Sequence, residues 1–452
     1  MPRSIQYLLS AVVLIAVAAS LIIGLRKRDT IKKPEGNVLV VISPHQDYIQ
    51  SEFFKAFQTW YEKETGRTCT VQPKEISAGT QGQLRYIVEL FDQQPSGIGI
   101  DIFWGGGTDP YAELKEKDLL HTYRVPENIL QYIPPTCAGQ PTYDPAYQWY
   151  GAAISGFGII YNKKYQRQAK LPAPETWEDL TRPELFGKVS MADPRKSGVA
   201  HTLCEIILQA YGWEKGFEVL MKMSGNCKMI VDASSRVPGD VALGEVIYGP
   251  TIDFYAWAQI AIEGAETIGF VLPRGLTVIN ADAMGILKGA PNLELAEAFL
   301  RFVLSEDGQK LLILPKGVPG GPKERTIGRI SVIPDLMTKY ADQCVARITA
   351  ADLKAGIEYD SEKASLRQGI LNDLLGAILV DTHDDLAKAW GAVVVGKVKE
   401  EDKIKALVSV PVSEVELMKL AAEKWGDESF RNKTIAEWIK FATTKYRNTL
   451  LK

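Results

Sequence analysis

The chain has 452 residues, 46% hydrophobic and 24% charged, with 52 Lys+Arg against 55 Asp+Glu and a net charge of −3. That length suits two or three domains with a sizeable core. The balanced charge and ordinary composition exclude a general electrostatic nucleic-acid binder, a low-complexity chain, a collagen and a coiled coil.

In chain order, residues 5–25 are almost wholly apolar. At 1.5 Å per residue such a run just crosses a hydrocarbon core of about 30 Å. It outlasts a signal-peptide core, and Leu21, Ile22 and Ile23 continue it past the small residues Ala18, Ala19 and Ser20. We therefore expect residues 1–33 to be an uncleaved signal-anchor and linker, with a cleaved export signal as the alternative. No cysteine follows closely enough for a lipid anchor. Arg26, Lys27, Arg28, Lys32 and Lys33 lie after the run, which by the charge rule alone keeps the body cytoplasmic.

Residues 38–43 (VLVVIS) read as a buried parallel strand. A helix at 52–64 stops at Gly66, a strand follows at 69–75, then a helix at 83–91 and a strand at 98–104. This is β-α-β-α-β, with loops at the strands' C-terminal ends, where open α/β sheets bind ligands. Residues 150–162 read as a glycine-broken pair of strands. Strands at 189–192, 226–231 and 245–252 alternate with helices at 199–211, 213–223 and 236–243. The chain then returns through a strand at 277–285 and helices at 293–304 and 306–314. Beyond Gly320 the reading is mainly helical, at 334–340, 362–378, 384–394, 412–425 and 436–446.

The five cysteines, Cys69, Cys137, Cys204, Cys227 and Cys344, show no metal-ligand spacing. They are read as isolated buried thiols, with a Cys204–Cys227 bridge as the alternative. His45, His121, His201 and His383 are scattered, and no nucleophile elbow, HExxH or P-loop lysine is present. No cofactor, metal site or catalytic residue is expected.

Certain residues together resemble a known family: Pro174-x-x-Trp177-x-x-Leu180, the Asp193-Pro-Arg-Lys-Ser-Gly198 loop, Gly244-Glu245, and Ala290-Pro-Asn292 through Ser305-x-x-Gly308-Gln309. From about Val38 to Pro322 the chain resembles the extracellular solute-binding proteins of ABC transporters. It is most similar to the branch of ferric-ion, thiamine and phosphonate or sugar-phosphate binders. The resemblance implies an α/β, two-lobed type-2 periplasmic binding fold with a C-terminal helical extension. The expected divisions are 34–150 for the first part of lobe one, 151–275 for lobe two, 276–324 for the return to lobe one, and 325–452 for the extension. It also implies a small-molecule solute, an ABC permease partner and an extracytoplasmic location; the apolar run at 5–25 adds the expectation of membrane contact through an N-terminal helix.

Candidate ligand contacts sit at loop positions. Ser197 and Gly198 open a predicted helix, where free N–H groups and the helix dipole favour an anion; the alternative is a plain N-cap. His45 and Gln46 follow the first strand, Gly79, Thr80 and Gln81 the second, and Gly106, Gly107 and Thr108 the third. Asp232, Ser234, Asp253, Tyr255 and Asp282 complete the set. Ferric-binding relatives carry adjacent tyrosines near Tyr255, where this chain has Phe254, so one phenolate is missing. Trp104 and Trp257 are read as core. The expected function is capture of a small, anionic solute for a permease. A membrane-tethered ligand sensor acting on a partner, or a ferric-ion binder, is the alternative.

Overall fold

The computed structural model describes residues 37–76, 78–348 and 356–451. The apolar run at 5–25 lies outside them. Among the described residues no helix is long and apolar enough to cross a membrane.

The described residues form eleven strands: β1 (Val38–Ile42), β2 (Thr70–Pro73), β3 (Ile102–Trp104), β4 (Thr136–Cys137), β5 (Gln140–Pro141), β6 (Tyr150–Asn162), β7 (Val189–Ala192), β8 (Cys227–Val231), β9 (Tyr248–Ile252), β10 (Ile268–Val271) and β11 (Ile279–Ile286). Apart from the small β4–β5 pair they join in the order β2-β1-β3-β11-β6-β9-β7-β8, with β10 also on β6. β1 is parallel to β2 and β3, and β11 is antiparallel to β3 and β6.

β6 belongs to both lobes. Its residues Tyr150 to Gly156 pair with β11 of lobe one, and Phe157 to Tyr161 pair with β9 of lobe two. The changeover is at Gly156–Phe157, inside the strand rather than at its start. The expected glycine-broken strand pair is one continuous strand of 13 residues. Its glycines admit close neighbours instead of ending it. A Cβ on Gly151 would lie 2.7 Å from that of Ala281, and one on Gly158 would strike the Val271 carbonyl.

Lobe one carries helices on both faces. Phe53 and Phe57 of the Asp47–Thr65 helix pack with Trp104, Phe299 and Phe302. On the opposite face Leu84, Ile87 and Phe91 of the Thr80–Gln93 helix meet Val40, Ile42 and Phe103. Each such side chain, fully buried, contributes roughly 1.5–3 kcal/mol. Gly66, at φ 69°, ends the first helix in the left-handed conformation expected of a C-terminal glycine.

The last third of the chain divides between the lobes. Ile327, Ile330, Val332, Cys344 and Ala346 join the core of lobe one, and Ile330 bridges to Ile154 of β6. These residues, expected in the extension, are drawn inward by their apolar side chains. From Ser361 onward, Leu371, Leu374, Trp390, Trp438 and Tyr446 enter the core that Ile206, Phe217 and Leu220 form in lobe two. Cys204 and Cys227 are unbridged buried thiols, so the alternative Cys204–Cys227 bridge does not form.

Candidate functional site

β1, β2 and β3 each end in a loop that leads into a helix: Asp47–Thr65, Thr80–Gln93 and Asp109–Glu116. The parallel register sets these loops side by side. A Cβ on Gly105 (φ 108°) would lie 2.7 Å from the His45 ring, and one on Gly106 (φ 93°) would strike the Thr80 side chain. Only glycine combines this backbone with that approach. The buried Tyr111 hydroxyl steadies the turn, donating toward the carbonyls of Phe103 and Ala283 and accepting from the Gly105 amide at 3.2 Å.

Asp282 of β11 holds this cluster together. Its Oδ1 accepts the amides of Gly106 (2.9 Å) and Gly107 (3.2 Å), and its Oδ2 lies 2.7 Å from His45 Nε2. Arg329, from the stretch after residue 324 that joins the core of lobe one, donates from Nη1 to the same Oδ2 at 2.6 Å and from Nη2 to Ser155 Oγ at 2.8 Å. His45 Nδ1 lies 3.0 Å from Ser43 Oγ. Burial alone raises the Asp282 carboxyl, but Arg329, His45 and the Gly107 amide together hold it well below the usual range.

Lobe two meets the cluster through the start of the Asp253–Glu263 helix. The Arg329 guanidinium stacks on the Phe254 ring at 4.5 Å, and that ring lies 4.4 Å from Tyr255. Burial raises the Tyr255 phenol; Tyr48 and Asp282 add to this, while Arg329 opposes it. Asp253 is fully buried, and burial pushes its carboxyl up to about 7 against the pull of Arg329 and the Phe254 and Gly156 amides. Its Oδ2 has no partner among the described residues.

Ser197 caps the Gly198–Tyr211 helix by accepting from the Ala200 amide, and its Oγ lies 2.7 Å from Ser234 Oγ. The first-turn amides of Gly198 and Val199 have no intrahelical carbonyl to meet. No hydrogen bond among the described residues joins this serine pair to the His45–Asp282 cluster. Asp232 is exposed and paired with Lys196 at 2.7 Å. Gln46, Gly79 and Thr108 occupy helix-cap positions, and Gln81 is exposed on the first turn of its helix. Trp104 and Trp257 are core residues, each with an indole N–H unpartnered among the described residues.

Of the sequence candidates, the structure brings together His45, Thr80, Gly106, Gly107, Asp282 and, across the lobes, Asp253 and Tyr255. It pairs Ser197 with Ser234 separately. Arg329 and Ser155 were not singled out by sequence. Arg329 lies beyond the resemblance, and Ser155 sits in a strand read as broken. The one legible signal was Gly328-Arg329, an arginine beside a glycine in an otherwise apolar stretch (Ile327, Ile330, Val332). Among the described residues, no three His, Cys, Asp or Glu side chains are grouped to hold a metal ion.

Residues 100–324 match the profile of the bacterial extracellular solute-binding proteins. The chain is 30% identical over 160 residues to the phosphoglycerate transport regulatory protein PgtC of Salmonella typhimurium, covering 35% of this chain and 39% of that protein. It is 27% identical over 224 residues to iron uptake protein A1 of Synechocystis, covering 46% and 61% respectively. The chain thus spans about two to three fifths of the length of these relatives. Among solved structures, the periplasmic binding protein AfuA of Actinobacillus pleuropneumoniae, bound to fructose-6-phosphate, superposes with a TM-score of 0.56 at 23% identity, covering 78% of this chain and 98% of its own. Iron-bound HitA of Pseudomonas aeruginosa gives 0.57 at 16%, covering 75% and 100%. Residues 100–324 are thus similar to the bacterial extracellular solute-binding proteins, and the described body has the two-lobed type-2 periplasmic binding fold.

Proposed function

We propose that the protein captures a small anionic solute between its lobes, outside the cytoplasm, and delivers it to a membrane ABC permease. The observation that carries this reading is the convergence of the loops after β1, β2 and β3 on Asp282 and Arg329, opposite Phe254 and Tyr255 of lobe two. Arg329 and Asp282 neutralise each other there. Negative charge on the solute is therefore met by neutral donors: the Ser197 and Ser234 hydroxyls, the Thr80 and Thr108 hydroxyls, and the amides of Gly198 and Val199. His45, Tyr255 and Asp253 supply the remaining polar contacts. Tyr255 without a second adjacent phenol argues against iron as the cargo.

The test is thermal unfolding with 3-phosphoglycerate, fructose 6-phosphate, inorganic phosphate, a phosphonate, thiamine and ferric citrate. A solute at 100 times its Kd adds about 2.7 kcal/mol. Stabilisation by a phosphate ester, lost in Ser197→Ala, supports the reading; stabilisation by ferric citrate alone overturns it. A second reading, a solute sensor acting on a partner protein, draws on the regulatory name of the Salmonella relative. A partner retained only by the solute-loaded protein would favour it.

A further inference from the structure

The helix that carries Ser197 at its start is fastened along one face to the C-terminal helices. His201, Glu205 and Gln209 stand at i, i+4 and i+8, one stripe of the helix. His201 Nδ1 lies 2.8 Å from Asn372 Oδ1. Glu205 takes a two-pronged bond from Arg367 at 3.0 and 2.6 Å. Gln209 exchanges two bonds with the Asp360 backbone, at 3.0 and 2.8 Å. The fastening continues into the loop itself through Arg195.

Arg195 lies between two carboxylates. Its Nε and Nη2 reach the two oxygens of Asp193 at 3.1 and 3.0 Å, and its Nη1 and Nη2 reach those of Asp381 at 2.9 and 2.8 Å. Such paired forks fix a guanidinium in direction as well as distance. Asp193 in turn shapes the loop: its Oδ1 accepts the Arg195 amide, and its carbonyl accepts the amides of Lys196 and Ser197. Ser197 then meets Ser234 and caps the helix. A chain of direct bonds therefore runs from Asp381 through Arg195 and Asp193 to Ser197.

The far end of that chain is shaped for the arginine. Residues Gly376–Val380 form a π turn, closed by the Asp381 amide on the Gly376 carbonyl at 2.9 Å. The inserted residue swings Asp381 toward lobe two's loop. Gly376 lies flat under the guanidinium: a Cβ there would sit 2.5 Å from Arg195 Cδ and 2.7 Å from Nε. The family match ends at residue 324, so this support comes from outside the matched region.

We propose that Asp381 and Gly376 are positioning residues for the solute loop Asp193–Gly198, acting through Arg195, so that the C-terminal helices set the geometry of the second-lobe half of the site. The inference rests on the solute reading for the loop's role, but the coupling itself needs no solute to be seen.

The experiment is peptide-resolved hydrogen exchange on the full chain, with wild type, Asp381→Asn, Asp381→Glu and Gly376→Ala compared. We expect the amides of residues 196–200 to exchange about tenfold faster in Asp381→Asn and Gly376→Ala, with residues 43–46 and 105–108 of lobe one unchanged. Asp381→Glu should restore part of the protection. Should Asp381→Asn loosen the whole C-terminal region, Gly376→Ala, which keeps the carboxylate and displaces only the arginine, decides. Unchanged exchange at 196–200 in both variants overturns the proposal. Calorimetry with 3-phosphoglycerate then reads the functional side: about fivefold weaker binding in Asp381→Asn at an unchanged Tm is expected. Faster exchange with no effect on the affinity of a solute that wild type binds would remove the loop from the site and leave the coupling standing.

Discussion

Arg329 donates to Asp282 at 2.6 Å although both side chains are more than nine-tenths buried. Neither charge is satisfied by water, so each depends on the other. Removing one partner of such a pair typically costs about 3–5 kcal/mol, because the survivor stays buried and unpaired. Asp282→Asn should therefore lower urea-unfolding stability by that order at pH 7. The carboxyl titrates well below its unfolded value, so the contribution is complete above about pH 4 and fades as acid protonates it. Wild type should lose stability more steeply than the variant below pH 4. A loss under about 1 kcal/mol at neutral pH would refute the pair's role.

Asp253 has the opposite sign. Its folded carboxyl sits at about 7, above the unfolded value, because burial disfavours the ionised form. Stability is fully present below pH 4 and declines as pH rises through 7. Asp253→Asn lacks this titration. Between pH 5 and pH 8 wild type should fall relative to the variant by about 3 kcal/mol at most, the roughly two pKa units from pH 5 to the folded value at 1.36 kcal/mol each. Equal pH slopes in urea titrations would refute this.

Lys445, on the last helix, points its ammonium at the Ser409 carbonyl and Met221 sulfur, with the Phe441 and Tyr446 rings beside it. Burial lowers its pKa to about 7. The unfolded chain binds the extra proton between pH 7 and 10, so stability rises with pH across that window. In Lys445→Met the rise should vanish, with a gain of a few kcal/mol (about 4 at most) at pH 7. Chemical denaturation at pH 7 and pH 9.5 measures both quantities.

The Arg367–Glu205 pair is wholly enclosed between the Gly198–Tyr211 helix and the Ser361–Leu375 helix, with Glu414 as a further partner of the arginine. Arg367→Ala strands Glu205 and should cost about 3–5 kcal/mol. Replacing both members, as Arg367→Met with Glu205→Leu, should recover most of that loss. A double variant no better than the single one would show that the pair contributes more than charge balance.

The continuous apolar run of β1 was legible because a doubly covered strand needs no alternation. The helix at 293–304 was legible from its single apolar stripe. β6 was misread because its glycines answer to neighbours on other strands, which local pattern does not display. At the site, loop position pointed to His45, Gly106 and Gly107, which the fold gathers, whereas Asp282, read as a strand-end loop residue, lies inside β11. Arg329 escaped because its one local mark, a charge beside Gly328 in an apolar stretch, names no partner, and only the fold brings it to Asp282. The fastening of lobe two to Asn372, Arg367 and Asp381 was equally invisible, since the partners lie more than 150 positions apart.

The division of the last third between the lobes bears on how this gene can be shortened. A product ended at residue 324, where the family match stops, would lose Arg329 and Ile330 from lobe one. It would also strip lobe two of Leu371, Trp390 and Tyr446, leaving an apolar wall facing water. Ending at residue 348 would repair the first lobe only. The smallest portion able to fold with both lobes closed over their cores therefore reaches at least to Tyr446. Exchanging segments between this chain and its relatives would have to carry the final helices along with lobe two.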